Sequence, residues 1–307
     1  MAGFVNKFVI GASVLVGMSA VGVAPAQAQF KFENIGGAQD VKLYNSDGTN
    51  TYEDPTAKVE DLLKTGDNNP GGNVELFATS ESVSLTQYFF GPQEATSIEG
   101  TYKGQSLTIS SLTATDWFGD NLDISYGADN FANQYFNAFF DAAINDAWKP
   151  VASLYKENIY NAFGNANLFQ AASDPNISYI TDNGEDLMVG LAGYSNLWQK
   201  DGLEMAVQAL TNSMLGLGVY DVFNETIQFS EAVKVNYGGV EKLLFGDFAT
   251  DSNLVSDDET NSHTGNYEVT VGSLIEPPAS VPEPSTMLGL MAVGGLFAAA
   301  KRNAKKA

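Results

Sequence analysis

The chain of 307 residues contains no cysteine, one histidine and only 15 lysines and arginines against 37 acidic residues. The absence of cysteine excludes disulfide scaffolds, thiolate zinc sites, iron–sulfur ligation and cysteine nucleophiles. The shortage of basic residues excludes a nucleic acid partner, because binding to phosphates depends on clustered lysine and arginine. The sequence also lacks the glycine motifs that bind nucleotide phosphates, so nucleotide cofactors are not expected.

The remaining composition is that of a folded domain. Hydrophobic residues make up 44% of the sequence, aromatic residues 11% and charged residues only 17%. This proportion supplies enough apolar side chains for a sizeable core. The exported part, residues 29–276, has about 248 positions and fits one large domain better than two.

The first 28 residues have the pattern of a secretory signal peptide. Lys7 supplies the positive start, an apolar run follows over 8–23, and Ala26 and Ala28 are the small residues that signal peptidase recognises. The mature chain is then expected to begin at Gln29. The alternative is an uncleaved anchor helix, although 16 apolar residues are few beside the roughly 20 that span a bilayer.

The C-terminal residues form three consecutive segments. A proline-rich linker at 277–286 precedes an apolar run at 287–300, and a basic tail follows at 301–307. The prolines keep the linker out of regular structure, while the apolar run can enter a bilayer as a helix and the cations hold its end on the cytoplasmic side. The membrane-orienting cations are Lys301, Arg302, Lys305 and Lys306.

The order of Pro282, Glu283 and Pro284, an apolar helix and a basic end resembles the PEP-CTERM sorting signal of Gram-negative bacteria and cyanobacteria. The resemblance implies that an integral membrane exosortase recognises Pro-Glu-Pro and processes the tail. It also implies surface sorting, often in bacteria that make extracellular polysaccharide. The alternative is a plain C-terminal membrane anchor that keeps its tail. Residues 262–269 resemble the ectodomains of cyanobacterial PEP-CTERM proteins. No activity is known for those ectodomains, so this resemblance does not indicate one for the domain.

The span of residues 29–284, which includes part of the linker, is more acidic than the whole chain. Its basic residues are ten lysines, because Lys7 and the four tail cations belong to the terminal segments, and all 37 acids lie within 29–284. The net charge therefore changes from −22 for the chain to −27 for this span. The basic ends direct membrane orientation, and the acidic body faces the outside.

Hydrophobic periodicity predicts strands over 30–127, helices over 129–217 and strands again over 225–275. We therefore expect an α+β fold with an antiparallel, β-sandwich-like core whose two halves lie on either side of a helical insertion. The signal peptide and the hydrophobic sorting helix flank this core. The returning strands would cover an edge that the first strands alone leave open. The alternative is an all-β domain followed by a separate helical domain.

Local patterns predict several individual strands. Alternating polar and apolar residues flank Lys103-Gly104 and Gly238-Gly239, which is the pattern of two β-hairpins. Short β-prone runs at 74–78 and 82–86 predict further strands, and 267–271 predicts a terminal strand.

The helical region begins with an aromatic pattern. Aromatic and apolar residues recur every three to four positions from Phe131 to Trp148, which predicts an amphipathic helix capped by Asp129 or Asn130. A second helix is expected over 154–163 and a third over 187–194. A capping box at 201–204 predicts a fourth helix.

Candidate catalytic residues are sparse. We expect His263, in a polar loop, to be solvated and to have no catalytic role. Glycoside hydrolysis needs two carboxylates across a sugar, and 37 acids form pairs by chance. Three tryptophans could stack on sugar rings. We expect Trp117 to be exposed and Trp148 to belong to the core of the aromatic helix, while Trp198 is not assigned to either place.

Calcium is the favoured small ligand, because it binds closely spaced oxygen donors. Asp182, Asn183, Glu185 and Asp186 lie together in a glycine loop, and a second acidic cluster lies at 257–259. Neither cluster has EF-hand spacing. The alternative for the first cluster is a helix start, with the acids near the positive end of the helix dipole. We therefore assign no metal site or other cofactor.

These observations predict an exported, non-enzymatic cell-surface or extracellular-matrix protein. Its expected partners are signal peptidase, exosortase and extracellular polysaccharide, with the membrane contacted through the C-terminal helix before processing. The alternative is a secreted carbohydrate-binding or glycoside-hydrolysing protein.

Overall fold

The computed structural model describes residues 30–274, with gaps at 64–70, 79–88, 92, 200–206, 209–221, 247–248 and 257–262. Two mostly antiparallel β-sheets enclose one hydrophobic core in a half-barrel, and five of the six short helices in the described residues pack around one end of the strands. The structure is therefore mostly β-sheet with few helices. It confirms the antiparallel sheets of the predicted α+β fold, with fewer helices than expected.

The described residues contain fourteen strands and six short α-helices. The strands are β1 (Lys31–Gly37), β2 (Val41–Ser46), β3 (Asn50–Glu53), β4 (Gly72–Leu76), β5 (Thr96–Tyr102), β6 (Gln105–Ser110), β7 (Asn176–Asp182), β8 (Asp186–Tyr194), β9 (Phe229–Ser230), β10 (Ala232–Tyr237), β11 (Val240–Phe245), β12 (Ala249–Asp251), β13 (Val255–Ser256) and β14 (Gly265–Ser273). The helices are α1 (Val59–Leu62), α2 (Ala114–Phe118), α3 (Phe131–Ala143), α4 (Lys149–Ala152), α5 (Lys156–Asn165) and α6 (Leu168–Ala171).

The first sheet joins strands from both sides of the helices. Its order is β1-β5-β6-β10-β11, and β10 pairs antiparallel with β6, so that Val235 lies opposite Ile109. The structure thus confirms a largely antiparallel core of two sheets, and its first sheet joins strands that precede and follow helices α2 to α6. The alternative of separate β and helical domains in series is wrong, because one sheet contains strands from before and after the insertion.

The second sheet is larger and has the order β12-β14-β8-β7-β4-β2-β3-β13, with β9 paired beside β8. Its pairs are antiparallel apart from the short parallel pair of β13 with β3. The inner faces of the two sheets share one apolar core. Ile98, Ile109 and Val235 come from the first sheet, and Val74 and Val189 come from the second. Each such buried aliphatic side chain contributes roughly 1.5–3 kcal/mol relative to exposure.

Both predicted hairpins are confirmed. Lys103 and Gly104 connect β5 to β6 with φ values of 49° and 78°, and Gly238 and Gly239 connect β10 to β11 with 58° and 86°. Two central residues with positive φ make the turn whose twist matches a two-residue hairpin. The strand at 74–78 is confirmed in β4 and the terminal strand in β14. The strand predicted at 82–86 lies outside the described residues.

The aromatic helix is confirmed as α3. The side chain of Asn130 accepts a hydrogen bond from the backbone N–H of Asn133 at 3.0 Å, which caps the helix start. Phe131, Tyr135 and Phe136 are buried on one face of this helix. The helix ends at Ala143, before Trp148.

The second predicted helix is confirmed in α5, which buries Tyr160 and Phe163 against the same aromatic cluster. The fourth predicted helix lies outside the described residues apart from Val207 and Gln208, which are helical.

The prediction of helices over 129–217 is wrong between 176 and 194, where the chain forms β7 and β8, and the third predicted helix over 187–194 is therefore a strand. Leu187, Val189 and Leu191 recur at every second position, which is the period of a strand. The intervening positions Gly190 and Ala192 are also buried, with the ring of Tyr179 packed against Gly190. Gly190 permits that packing, since a β-carbon there would lie 2.2 Å from the ring of Tyr179.

Candidate functional site

The strand ends opposite the helices form a surface of turns that we call the turn pole. It consists of the β5–β6 turn at Lys103-Gly104, the β7–β8 turn at 183–185 and the β10–β11 turn at Gly238-Gly239. The helical pole is the opposite end, formed by α2 to α6 and the strand ends that they contact. Opposite ends of the same strands therefore carry the two surfaces.

Hydrogen bonds tie the two sheets together at the turn pole. The hydroxyl of Tyr102 donates to Asp182 Oδ2 at 2.5 Å, and Lys103 Nζ lies 2.8 Å from the same oxygen. Lys242 Nζ donates to the carbonyl of Val271 at 2.6 Å at another point between the sheets. Burial raises the pKa of the Asp182 carboxyl, but the hydrogen bonds from Lys103, Tyr102 and the N–H of Gly184 outweigh it and lower the pKa below its ordinary value.

The predicted calcium cluster at 182–186 forms the β7–β8 turn. Its alternative interpretation as a helix start is wrong. Asn183 Oδ1 accepts the backbone N–H groups of Glu185 at 2.9 Å and Asp186 at 2.8 Å, while Gly184 has a φ of 94°. These bonds explain why polar residues surround a glycine here, since Asn and Asp side chains stabilise tight turns.

Calcium binding stays a prediction. Within the described ranges, no three histidine, aspartate or glutamate side chains are grouped closely enough to hold a metal ion. The second acidic cluster, 257–259, lies in a gap of the description.

The prediction that Trp117 is exposed is wrong, because its side chain is fully buried. Helix α2 begins with a capping box in which Thr113 and Asp116 bond each other's backbone, and this turns Trp117 toward the core. Its indole N–H donates to Ser173 Oγ at 2.8 Å. Asp116 instead forms an ion pair with Lys234 at 2.9 Å on the outer face of the first sheet.

The other two tryptophans are partly buried at the helical pole. Trp148 packs against the aromatic cluster as predicted, although it precedes α4 and is not part of α3. Trp198 donates its indole N–H to the carbonyl of Asn224 at 2.9 Å. The carbohydrate-binding alternative therefore loses Trp117, the residue that best supported it.

A cavity of about 370 Å³ lies beside Trp198 at the helical pole. Its walls are aromatic and aliphatic, with Asn165 as the polar exception, and Phe139, Phe163 and Phe223 are among its rings. Val207 also lines it, between the undescribed stretches 200–206 and 209–221.

The prediction that His263 is solvated is also wrong, because 3% of this residue is exposed. His263 Nδ1 lies 2.7 Å from Thr51 Oγ1, and Nε2 lies 3.1 Å from Asn176 Oδ1. An amide oxygen only accepts, so Nε2 carries the donated proton. The ring of Tyr44 meets the imidazole edge-on at 4.8 Å between centroids. The histidine therefore connects strands β2, β3 and β7 inside the second sheet.

Asn176 extends this network to a buried acid. Its backbone N–H donates to Glu231 Oε2 at 2.5 Å, and its side-chain amide donates to Oε1 at 2.9 Å. Burial raises the pKa of Glu231 well above its ordinary value, and repulsion from Glu75 adds to this, while the two donors of Asn176 oppose it. We call Thr51, His263, Asn176 and Glu231 the buried polar chain. Sequence reasoning missed it because its members lie far apart in the sequence.

The folding stability of the Glu231→Gln variant should depend less on pH than that of the unchanged protein. A raised pKa means that the folded state binds a proton more tightly than the unfolded state does. The stabilisation that comes from the protonated Glu231 is fully present below the pKa of about 4.3 that this group has in the unfolded chain. It is lost as the pH rises through the pKa that Glu231 has in the folded protein. When the pH is lowered from 7 to 5, we therefore expect the free energy of unfolding to rise less in Glu231→Gln than in the unchanged protein.

Urea unfolding at both pH values measures this difference. Glu241→Gln is the matched control, because its carboxylate is exposed on β11 and its removal changes the net charge by the same amount. Equal pH dependence in Glu231→Gln and Glu241→Gln would contradict the assignment.

The sorting and membrane-orienting residues predicted from the sequence lie outside the described residues. They are Ala26, Ala28, Pro282, Glu283, Pro284, Lys301, Arg302, Lys305 and Lys306. The structure therefore tests none of them directly. The structure does place Leu274, the last described residue before the linker that leads to the sorting motif.

Comparison with family models identifies a PEP-CTERM protein-sorting motif at residues 280–303. The chain thus carries the signal of an exosortase substrate, as the resemblance predicted. Searches of curated proteins and of solved structures found no match. Among the described residues, every helix is too short or too polar to span a membrane.

Proposed function

We propose that this protein is a non-enzymatic component of the cell surface or extracellular matrix. Its signal peptide exports it, and exosortase processes its C-terminal tail. The sorting motif at 280–303 is the observation that carries this proposal, because it implies export, sorting to the surface and exosortase processing. The net charge of −27 between residues 29 and 284 suits a domain that faces solvent.

The surroundings of His263 support a non-enzymatic role. This residue is the one histidine of the chain, and both of its ring nitrogens are engaged inside the second sheet. A general base must reach a proton of the substrate at hydrogen-bond distance, which a buried and bonded imidazole does not do. The buried polar chain is thus better explained as a structural connection between strands.

Glu283→Ala should abolish tail processing. The motif presents one carboxylate between two prolines, and the substitution removes that charge from the segment that exosortase recognises. Glu276→Ala is the matched control, since it removes the same side chain from the preceding residues outside the matched span. Immunoblots of membrane, surface and culture fractions should show an accumulated, larger membrane form for Glu283→Ala and normal processing for Glu276→Ala.

Normal processing of Glu283→Ala, or surface localisation of a chain that lacks residues 281–307, would overturn the proposed sorting route. A chain that fractionates with the membrane at full length, with or without Glu283, would instead identify a plain anchor.

A further inference from the structure

Both ends of the described chain leave the fold at the turn pole. Lys31 begins β1 opposite Thr101, next to the β5–β6 turn. Ser273 ends β14 opposite Asp186, next to the β7–β8 turn. The signal peptide is predicted to end only two residues before Phe30, and residues 275 and 276 lead from Leu274 to the linker at 277–286.

These two ends are held firmly to the domain. Phe30 is buried in the core between the sheets, and the side chain of Leu274 packs against the same core. The backbone N–H of Leu274 donates to the carbonyl of Glu185 at 2.7 Å. The chain therefore leaves the described domain from a fixed point on the turn pole.

The distance from this point to the sorting motif is limited by covalent geometry. Residues 275–281 separate Leu274 from Pro282, so eight Cα–Cα steps span at most about 26–29 Å. Pro284 precedes the apolar run at 287 by three steps, or at most about 11 Å. Covalent geometry therefore limits how far the motif can lie from the turn pole and from the start of the apolar run.

The turn pole is too broad to follow the motif into an enzyme cleft. Two sheets packed face to face lie about 10 Å apart, and five neighbouring strands at about 4.8 Å cover about 20 Å. An extended Pro-Glu-Pro segment is much narrower than this surface. A processing enzyme can therefore enclose the motif only if the folded domain stays away from it.

We propose that the turn pole is the face that this domain directs toward the membrane-embedded processing enzyme, and that residues 275–281 act as a spacer that keeps the pole clear of the enzyme. This inference rests on the proposed function. The helical pole, with its apolar cavity, then faces away from the membrane. The functional property of the spacer is its length, because its task is to separate two bulky bodies.

Deletion of residues 275–280 from the full chain tests this proposal. The deletion brings Pro282 within two Cα–Cα steps of Leu274, or about 7 Å, while it leaves the described residues and the matched span at 280–303 almost intact. We expect the fraction of processed protein to fall at least tenfold. Replacement of 275–280 by six glycine and serine residues is the matched control and should retain processing. Intact mass and immunoblots of cell fractions measure the outcome.

Equal processing of the deletion variant and the unchanged chain would overturn the proposal. Equal loss in the deletion and in the glycine–serine replacement would also overturn it, because residue identity and not length would then matter. A melting temperature equal to that of the unchanged chain shows that the domain remains folded in each variant. Failure of the proposed function is distinguishable, since the unchanged chain would then keep its tail or Glu283→Ala would still be processed.

Discussion

Replacing Trp117 with alanine should lower the free energy of unfolding by about 3–5 kcal/mol. The indole is fully buried and packs against Phe131 and Tyr135, with ring centroids 5.0 and 5.2 Å away, and against Phe169 at 5.3 Å. Truncation removes these contacts and leaves a cavity that rigid neighbouring rings cannot fill. It also removes the donor to Ser173 Oγ.

Leu154→Ala is the control for this variant, because 80% of Leu154 is exposed. Its substitution should change the free energy of unfolding by no more than about 0.5 kcal/mol. Urea denaturation followed by far-ultraviolet circular dichroism measures both. A loss below 1 kcal/mol in Trp117→Ala would contradict the buried position. Such a result would restore the interpretation of Trp117 as an exposed platform for sugars.

Replacing Asn176 with alanine should cost about 3 kcal/mol, although this residue contributes little apolar surface. Its side chain satisfies Glu231 Oε1 and His263 Nε2 at once, and both of these residues are buried. The substitution leaves the buried carboxyl group of Glu231 with one hydrogen bond fewer and leaves the imidazole N–H without this acceptor. A buried polar group that loses its partner destabilises the fold by more than the lost hydrogen bond had contributed to stability.

The exposed Asn161 on α5 provides a matched control, and Asn161→Ala should change stability by no more than about 0.5 kcal/mol. In the Asn176→Ala background, Glu231→Gln should recover part of the loss, because no charge can then develop in the core. Urea denaturation of the four proteins measures these differences. A cost in Asn176→Ala no larger than that in Asn161→Ala would contradict the buried polar chain.

Features set by neighbouring residues were predictable from the sequence. The two hairpins depend on residues that adopt positive φ between alternating strands, and α3 depends on one apolar stripe and a capping asparagine. All of these signals lie within about 15 positions. The C-terminal sorting motif belongs to the same class, because it is a linear pattern of proline, glutamate, apolar and basic residues. Its recognition required no tertiary information.

Features set by distant residues were not predictable in this way. His263 is surrounded by polar neighbours in the sequence, yet its partners Thr51 and Asn176 are 212 and 87 positions away. Strand β8 is largely buried on both faces, so its sequence lacks the polar positions of a half-exposed strand, and the spacing of Leu187, Leu191 and Tyr194 also matches a helix. Trp117 follows Thr115 and Asp116 on a five-residue helix, and its direction depends on a cap and on the core beneath it.

The intact mass of the protein recovered from cells tests the central claim most directly. Sorting through the PEP-CTERM motif predicts a mass that lacks both the signal peptide, residues 1–28, and the C-terminal apolar run with its basic tail, residues 287–307. A mass that retains residues 287–307 in protein recovered from the cell surface would contradict exosortase processing and would identify a plain membrane anchor.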